Sequence, residues 1–292
     1  MAPSLAAARA INAAFSPSYI PVAVFVGGTS GVGQGMAEAF ARHTKGNAHI
    51  ILIGRNSSAA DSFVACDITL MKNVQKTTEE LIKRVPRINF LVISSGVMNL
   101  NGRDETEEGI DRKLAVHYYA RWKFIHGLVP ALVKANEGGE DAKVFSVFSP
   151  GNAKKIDLDD LGLKKTFSLS NAALQGSTYN DLMIEGYASR YPSLSFIHSY
   201  PGGVRTNLTA SSTSAIVRAL DVKSRWNPFR YLTISQEDAG EYLLSGLFKA
   251  APGAWRHDNH GNDMGKKGYY GDEESQKKLW EHTVQVTGSE QR

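Results

Sequence analysis

The 292-residue chain holds a single cysteine, Cys66. One thiol rules out an internal disulfide and any zinc site built from several cysteines. It lies in the apolar run Phe63-Val64-Ala65-Cys66, where a buried structural thiol is the default reading. No apolar stretch reaches the roughly 18–20 residues of a membrane span. Lys and Arg are scattered, and the formal net charge is only +4, so the electrostatic footprint of a nucleic-acid binder is missing. A mild basic excess suits an anionic cofactor or an acidic substrate better. Repeats, low-complexity tracts and linkers are also absent, so residues 1–292 are read as a single domain. The segment from Ser4 to Phe15 is rich in Ala but broken by Arg9 and Asn12. Lacking a basic start and a continuous apolar centre, it reads as a short surface helix rather than a signal peptide, and the expected location is cytoplasmic. No metal site is expected.

What the chain does have is an alternation of short β-rich runs and amphipathic stretches. Candidate strands are Val22–Val26, His49–Ile53, Ser62–Ala65, Ile88–Ser94, Lys143–Phe148 and Leu194–His198. Helical segments begin near Gly33, Lys72, Thr106 and Tyr179, and the tail from Glu274 to Val286 is helical again. Several strands are continuously apolar, which implies burial on both faces. Strand–helix–strand repetition of this kind predicts an α/β fold: a Rossmann-type, doubly wound parallel sheet between two layers of helices. Residues 206–234 break the pattern. They are rich in Ser and Thr and then carry Trp226, Pro228, Phe229 and Tyr231 without a clear period, so they read either as a substrate lid or as a surface excursion packed by its aromatics.

The strongest local signal follows the first strand: Gly27-Gly28-Thr29-Ser30-Gly31-Val32-Gly33, leading into Met36-Ala37-Glu38-Ala39-Phe40. Glycines let the backbone turn sharply and approach a pyrophosphate. The helix that follows presents unpaired N–H groups and the positive end of its dipole. A strand before the turn and a helix after it supply the context this motif requires. The end of the second strand bears on the choice of cofactor. NAD-selective sites place an acid there for the ribose hydroxyls, whereas this chain has Ile53-Gly54-Arg55-Asn56. Arg55 can pair with a 2′-phosphate, so NADP(H) is the expected cofactor.

These residues resemble the short-chain dehydrogenase/reductase family. The glycine turn is similar to that family's Thr-Gly-x-x-x-Gly-x-Gly, with Val26 in place of Thr. Asp67-Ile68 resembles its Asp-Val pair beside the adenine, and Ile93-Ser94-Ser95-Gly96 stands where Asn-Asn-Ala-Gly is usual. Tyr200-Pro201-Gly202-Gly203-Val204-Arg205-Thr206 is similar to the Pro-Gly segment over the nicotinamide. Thr106-Glu107-Glu108-Gly109 and the wording from Tyr200 to Asn207 resemble fungal, retinol-dehydrogenase-like members, many tied to secondary metabolism. The resemblance implies cofactor contacts from Gly27, Thr29, Ser30, Gly31, Val32, Gly33, Arg55, Asp67, Ile68, Ser94, Ser95, Gly96, Pro201, Gly202, Val204 and Thr206.

The family's chemistry uses a Ser, a Tyr, a Lys four residues after the Tyr, and an Asn on a preceding helix. Matched residue by residue, Ser149 takes the Ser position and Tyr179 the Tyr position, while Met183 stands for the Lys and His117 for the Asn. Ser149, Tyr179 and His117 are therefore the expected catalytic residues, with His117 either relaying a proton or packed as a structural residue. Lys154 and Lys155 lie close enough in sequence to Ser149 to substitute for the missing cation, and otherwise are solvated loop lysines. Without that cation the Tyr179 phenol has lost the group that would lower its pKa. Three readings stay open: an NADP(H)-dependent ketone or alcohol oxidoreductase, a non-redox cyclase, isomerase or dehydratase on the same scaffold, and a cofactor-binding protein without turnover. The resemblance also implies either a homo-oligomer, paired through helices around Arg112–Ala131 and Tyr179–Arg190, or a monomer.

Overall fold

The computed structural model describes residues 3–55, 63–206 and 233–290. Seven parallel strands form one sheet: β1 (Val22–Val26), β2 (His49–Gly54), β3 (Phe63–Ala65), β4 (Phe90–Ile93), β5 (Lys143–Val147), β6 (Ser195–Ser199) and β7 (Gly253–His257). Their order is β3-β2-β1-β4-β5-β6-β7, the doubly wound arrangement, with its switch point between β1 and β4. Register is fixed by apolar runs on both faces: Val24 pairs with Ile51 on one side and Leu91 on the other. The sequence reading missed β7. Its residues Gly253-Ala254-Trp255-Arg256-His257 are half exposed over the first three positions, so no apolar run announces this edge strand.

Alternate side chains of the strands feed two cores. Val24, Val26, Ile51, Ile53, Leu91 and Ile93 point to one face, where α3 (Met71–Arg84), α5 (Ala120–Glu137) and α6 (Leu169–Arg190) cover them. Ala23, Phe25, Leu52, Phe90 and Val92 point to the other, against α2 (Gly31–His43) and α7 (Gln236–Lys249). Phe40 and Phe90 meet there edge to face at 5.4 Å, both fully buried, and truncating either to Ala would cost about 3–5 kcal/mol.

The helix expected near Thr106 starts later. Thr106–Ile110 is a tight turn, and the chain becomes helical at α4 (Arg112–Leu114), capped by the Asp111 carboxylate on the Lys113 and Leu114 amides. A π-helical turn over Ala115–Tyr119 separates α4 from α5. The helix read as beginning near Tyr179 starts ten residues earlier, at Leu169. The N-terminal segment is helical as expected (α1, Leu5–Ala13). It docks through the buried Ala8 and Asn12, with Asn12 Nδ2 donating to Glu241 Oε2 of α7 at 2.7 Å.

The last helix, α8 (Glu273–Val286), lies over α5 and α6. Trp280 packs edge-on to Trp122 at 5.2 Å and to Tyr187 at 4.9 Å, so the chain itself covers part of the faces expected to pair copies of it. Among the described residues no helix is long and apolar enough to cross a membrane.

Candidate active site

All seven strands are parallel, so every loop after a strand opens at the same edge of the sheet, where ligands bind in such folds. Three of those loops converge. The turn after β1 is fixed by Gly31, whose φ of +59° favours glycine, and by Gly33, where a β-carbon would stand 2.5 Å from the Gly27 carbonyl oxygen. Ser30 is the N-cap of α2, yet its side chain makes no capping bond. The first N–H groups of that helix therefore lack the side-chain partner a cap normally provides, as an anion site needs. Val32, in the first turn, packs partly buried against the Phe25 core, while Thr29 faces Gly54 at the end of β2. Residues Ser94 to Gly96 close the next side: Ser94 Oγ donates to the Val26 and Gly27 carbonyls at 3.3 Å. The loop after β6 closes the third, since a β-carbon on Gly31 would lie 3.2 Å from Thr206 Cγ2. Pro201 and Val204 are half-buried in that loop, and Gly202 takes a φ of +74°.

Other expected contacts line up along the same edge. Arg55 directly follows β2 and is exposed. Asp67 is exposed as well, its carboxylate accepting from the Thr69 amide at 3.0 Å and hydroxyl at 2.8 Å, and Ile68 packs on the core. Most of the expected lid, residues 207–232, lies outside the described residues. Its two ends are joined beside the cradle, where Arg205 N donates to Ile234 O at 3.0 Å and Ile234 N to Gly203 O at 2.9 Å.

Ser149 follows β5, half-buried, with Oγ accepting from Asn152 Nδ2 at 3.0 Å. The hydroxyl of Ser177, on α6, donates to the Ser149 carbonyl. Tyr179 is elsewhere. Its side chain is fully buried, and its hydroxyl donates to the Leu161 carbonyl at 3.0 Å. Burial, then the neighbouring Tyr119 and Tyr118, raises its pKa well above that of a free phenol. Met183 is buried in the same core. Two positions along an α-helix are about 200° apart, and accordingly Ser177 bonds to Ser149 while Tyr179 bonds to Leu161.

His117 sits in the π-helical turn, and its Nε2 accepts from the Val97 amide at 3.1 Å. The residue is half-buried, and desolvation followed by the Arg121 charge lowers its pKa to about 3. The ring is therefore neutral at physiological pH, and its free proton sits on Nδ1. The turn also frees the His117 carbonyl, which accepts from Asn180 Nδ2 at 2.8 Å. Arg121, one turn later, is buried and holds Ile93 O, Val147 O, Ser146 Oγ and Ser95 O. Neither Arg121 nor Asn180 was singled out in the sequence, where no local spacing marks a buried polar network. Lys154 Nζ is bonded to Asn171 Oδ1 at 2.8 Å, and Lys155 is exposed.

Residues 21–149 match the family model described as short chain dehydrogenase. The chain is 34% identical over 262 residues to "Oxidoreductase AN1596" of Emericella nidulans, covering 85% of this chain and 77% of that protein. The chain belongs to the short-chain dehydrogenase family. A second relative of this dehydrogenase, "Oxidoreductase andH" of Emericella variicolor, is 32% identical, with 85% and 76% covered. The fold also superposes on the solved structure of an uncharacterized protein from Mycobacterium Paratuberculosis, with a TM-score of 0.65 at 18% identity, covering 95% and 97% of the two chains.

Proposed function

We propose that this short-chain dehydrogenase is an NADP(H)-dependent oxidoreductase that interconverts a ketone and an alcohol. In this reading it stands in the fungal, retinol-dehydrogenase-like branch, with a departed catalytic set. The observation that carries the reading is the α2 N-terminus, which follows the Gly31 turn and has no side-chain cap. A diphosphate suits this place, because Gly27, Gly31 and Gly33 bring no side chains to the turn and no acid stands in the first turn of the helix. Arg55 supports NADP(H) over NAD(H) by charge-assisted bonding to a 2′-phosphate. The names of the Emericella relatives, both oxidoreductases, support the redox half.

Bound in this cradle, the nicotinamide cofactor supplies or accepts hydride. The chain's own groups do the remaining work. The first amides of α2 hold the diphosphate, Ser94 to Gly96 and Pro201 to Thr206 wall the nicotinamide end, and the Ser149 hydroxyl holds the substrate oxygen. Tyr179 has no part in this scheme, since its hydroxyl is committed to Leu161. The Ser149 hydroxyl, partly open to solvent, is the route by which the proton reaches or leaves that oxygen. Residues 1–292 act as one unit around this single site, with 206–234 as its lid.

Burial of Tyr179 favours a second reading, in which NADP(H) binds without turnover or supports a non-redox reaction. Titrating the protein with NADPH by fluorescence, then following nicotinamide absorbance over a panel of ketones, separates these. Binding with consumption supports the oxidoreductase, and product without consumption supports the non-redox enzyme. Binding with neither leaves a cofactor-binding protein. Failure to bind NADPH at all removes every one of them.

A further inference from the structure

Behind Ser149 runs a line of buried polar groups that takes no part in the cofactor cradle. The ladder between β5 and β6 ends with the Phe148 amide on Ser199 O at 2.9 Å. The next amide, that of Ser149, is taken by a side chain instead of a strand: it donates to His198 Nε2 at 3.1 Å. The other ring nitrogen, Nδ1, lies 2.6 Å from Asp181 Oδ1, and Arg256 Nε reaches the same oxygen at 2.9 Å. His198 and Asp181 are 0% exposed and Arg256 5%. Arg256 then donates to the Gly265 and Lys267 carbonyls at 2.7 and 3.0 Å, which ties down the loop after β7. Groups from β6, α6 and β7 thus converge on one backbone N–H at the end of β5.

The two partners fix the state of the ring. Because Nε2 accepts a backbone N–H, the ring proton must sit on Nδ1, where the Asp181 carboxylate receives it. Burial is the main influence that lowers the His198 pKa. Asp181 opposes it and the Arg121 and Arg256 charges add to it, leaving a net lowering and a neutral ring at physiological pH. Burying a carboxylate and a guanidinium is costly, and Asp181 Oδ2 has no partner here. Packing needs no such device, since an apolar pair of similar size would fill the space without that cost.

We propose that His198, held by Asp181 and Arg256, is a positioning residue for Ser149. Its Nε2 anchors the Ser149 amide, sets the point where the chain leaves β5, and thereby places the Ser149 hydroxyl at the open edge of the sheet. The proposal rests on the reading of Ser149 as the group that holds the substrate oxygen, and it is tested apart from that reading.

Two substitutions separate the two bonds of the ring. His198→Gln carries an amide oxygen toward the place of Nε2 and keeps an acceptor for Ser149. His198→Asn carries an amide near Nδ1 and keeps a donor for Asp181 only. In 15N-labelled wild type, the His198 ring is expected as the Nδ1–H tautomer near neutral pH. The Ser149 amide resonance should stay close to its wild-type position in His198→Gln and move in His198→Asn. With any ketone that the wild type reduces, kcat should fall about 100-fold in His198→Asn, as for a reacting group displaced by about 1 Å, while NADPH affinity holds. His198→Gln should recover most of that loss although both variants lose Tm. An Nε2–H tautomer in the wild type would overturn the proposal. So would an unmoved Ser149 amide in His198→Asn, or activity that falls in step with Tm in both variants. Should the wild type reduce no ketone, the oxidoreductase reading fails, and the tautomer and the Ser149 amide still decide the anchor.

Discussion

Ser177 and Tyr179, two residues apart on α6, serve opposite sides of the helix: the Ser177 hydroxyl donates to the Ser149 carbonyl, and the Tyr179 hydroxyl donates to the Leu161 carbonyl. The phenol is thus a strut between α6 and the loop that follows β5. Tyr179→Phe leaves the Leu161 carbonyl buried without its donor, at a cost of about 1–2 kcal/mol. Urea denaturation should register that loss, while NADPH affinity and ketone turnover stay at wild-type level. A collapse of turnover at unchanged stability would return Tyr179 to the chemistry.

Met183 bears on the same question. Placing Lys there would restore the family's Tyr-x-x-x-Lys spacing on paper, but Met183 is 1% exposed and belongs to the core shared with Tyr179 and Tyr118. An ammonium buried at that point loses its hydration, so Met183→Lys should cost several kcal/mol of stability. It should bring no gain in NADPH consumption. A folded variant with a faster reductase rate would show that the side chain reaches the site after all.

Much of the fold was legible because the sheet is buried on both faces. Val22–Val26, buried from Ala23 onward, and Phe90–Ile93, buried throughout, stand out as apolar blocks. The edge strand β7 has no such block. The helix α7 did leave a mark that was passed over: Ser235 caps the Asp238 amide, with Glu237 and Asp238 in the first turn. Gly27 to Gly33 were legible for a different reason, since a turn that excludes β-carbons leaves a direct trace in composition. The facing of α6 left no trace. Its residues from Gln175 to Ile184 are all buried, so the helix has no polar side to orient it, and motif spacing alone put Tyr179 opposite Ser149. His198, Asp181 and Arg256 are far apart in sequence, and only the fold brings them to the Ser149 amide.

Arg55 stands exposed just after β2, and the stretch Ile53-Gly54-Arg55-Asn56 carries no acid. Hydrogen bonds to charged groups contribute about 1.5–3 kcal/mol. At about 1.4 kcal/mol per decade, Arg55→Ala should weaken NADPH binding about 10- to 100-fold. NADH, which lacks the 2′-phosphate, should bind equally well to both forms, and added salt should narrow the NADPH difference. Parallel fluorescence titrations with the two nucleotides check this. Equal losses for both would mean that Arg55 does not read the phosphate.

Glu241 of α7 should make the fold sensitive to acid. Its carboxylate is 1% exposed. It receives Asn12 Nδ2 at 2.7 Å, His43 Nε2 at 2.9 Å and Arg42 Nη1 at 2.6 Å, and so pins α1 and α2 to α7. Burial on its own would raise its pKa, but the bonds from Asn12 and His43 and the nearby charges of His43 and Arg42 outweigh it, and the net shift is downward. A carboxyl whose pKa is lower in the folded state adds stability above its unfolded pKa. That contribution disappears as pH falls through the folded value. Glu241→Gln should therefore be less stable than wild type by about 1–3 kcal/mol at neutral pH. The gap should close as pH falls below the usual carboxylate range and through the lowered folded value, where the wild-type carboxylate takes up its proton. Urea titrations of both proteins across that range measure the gap directly. A difference that stays constant into acid would mean that the charge of Glu241 contributes nothing and only its shape matters.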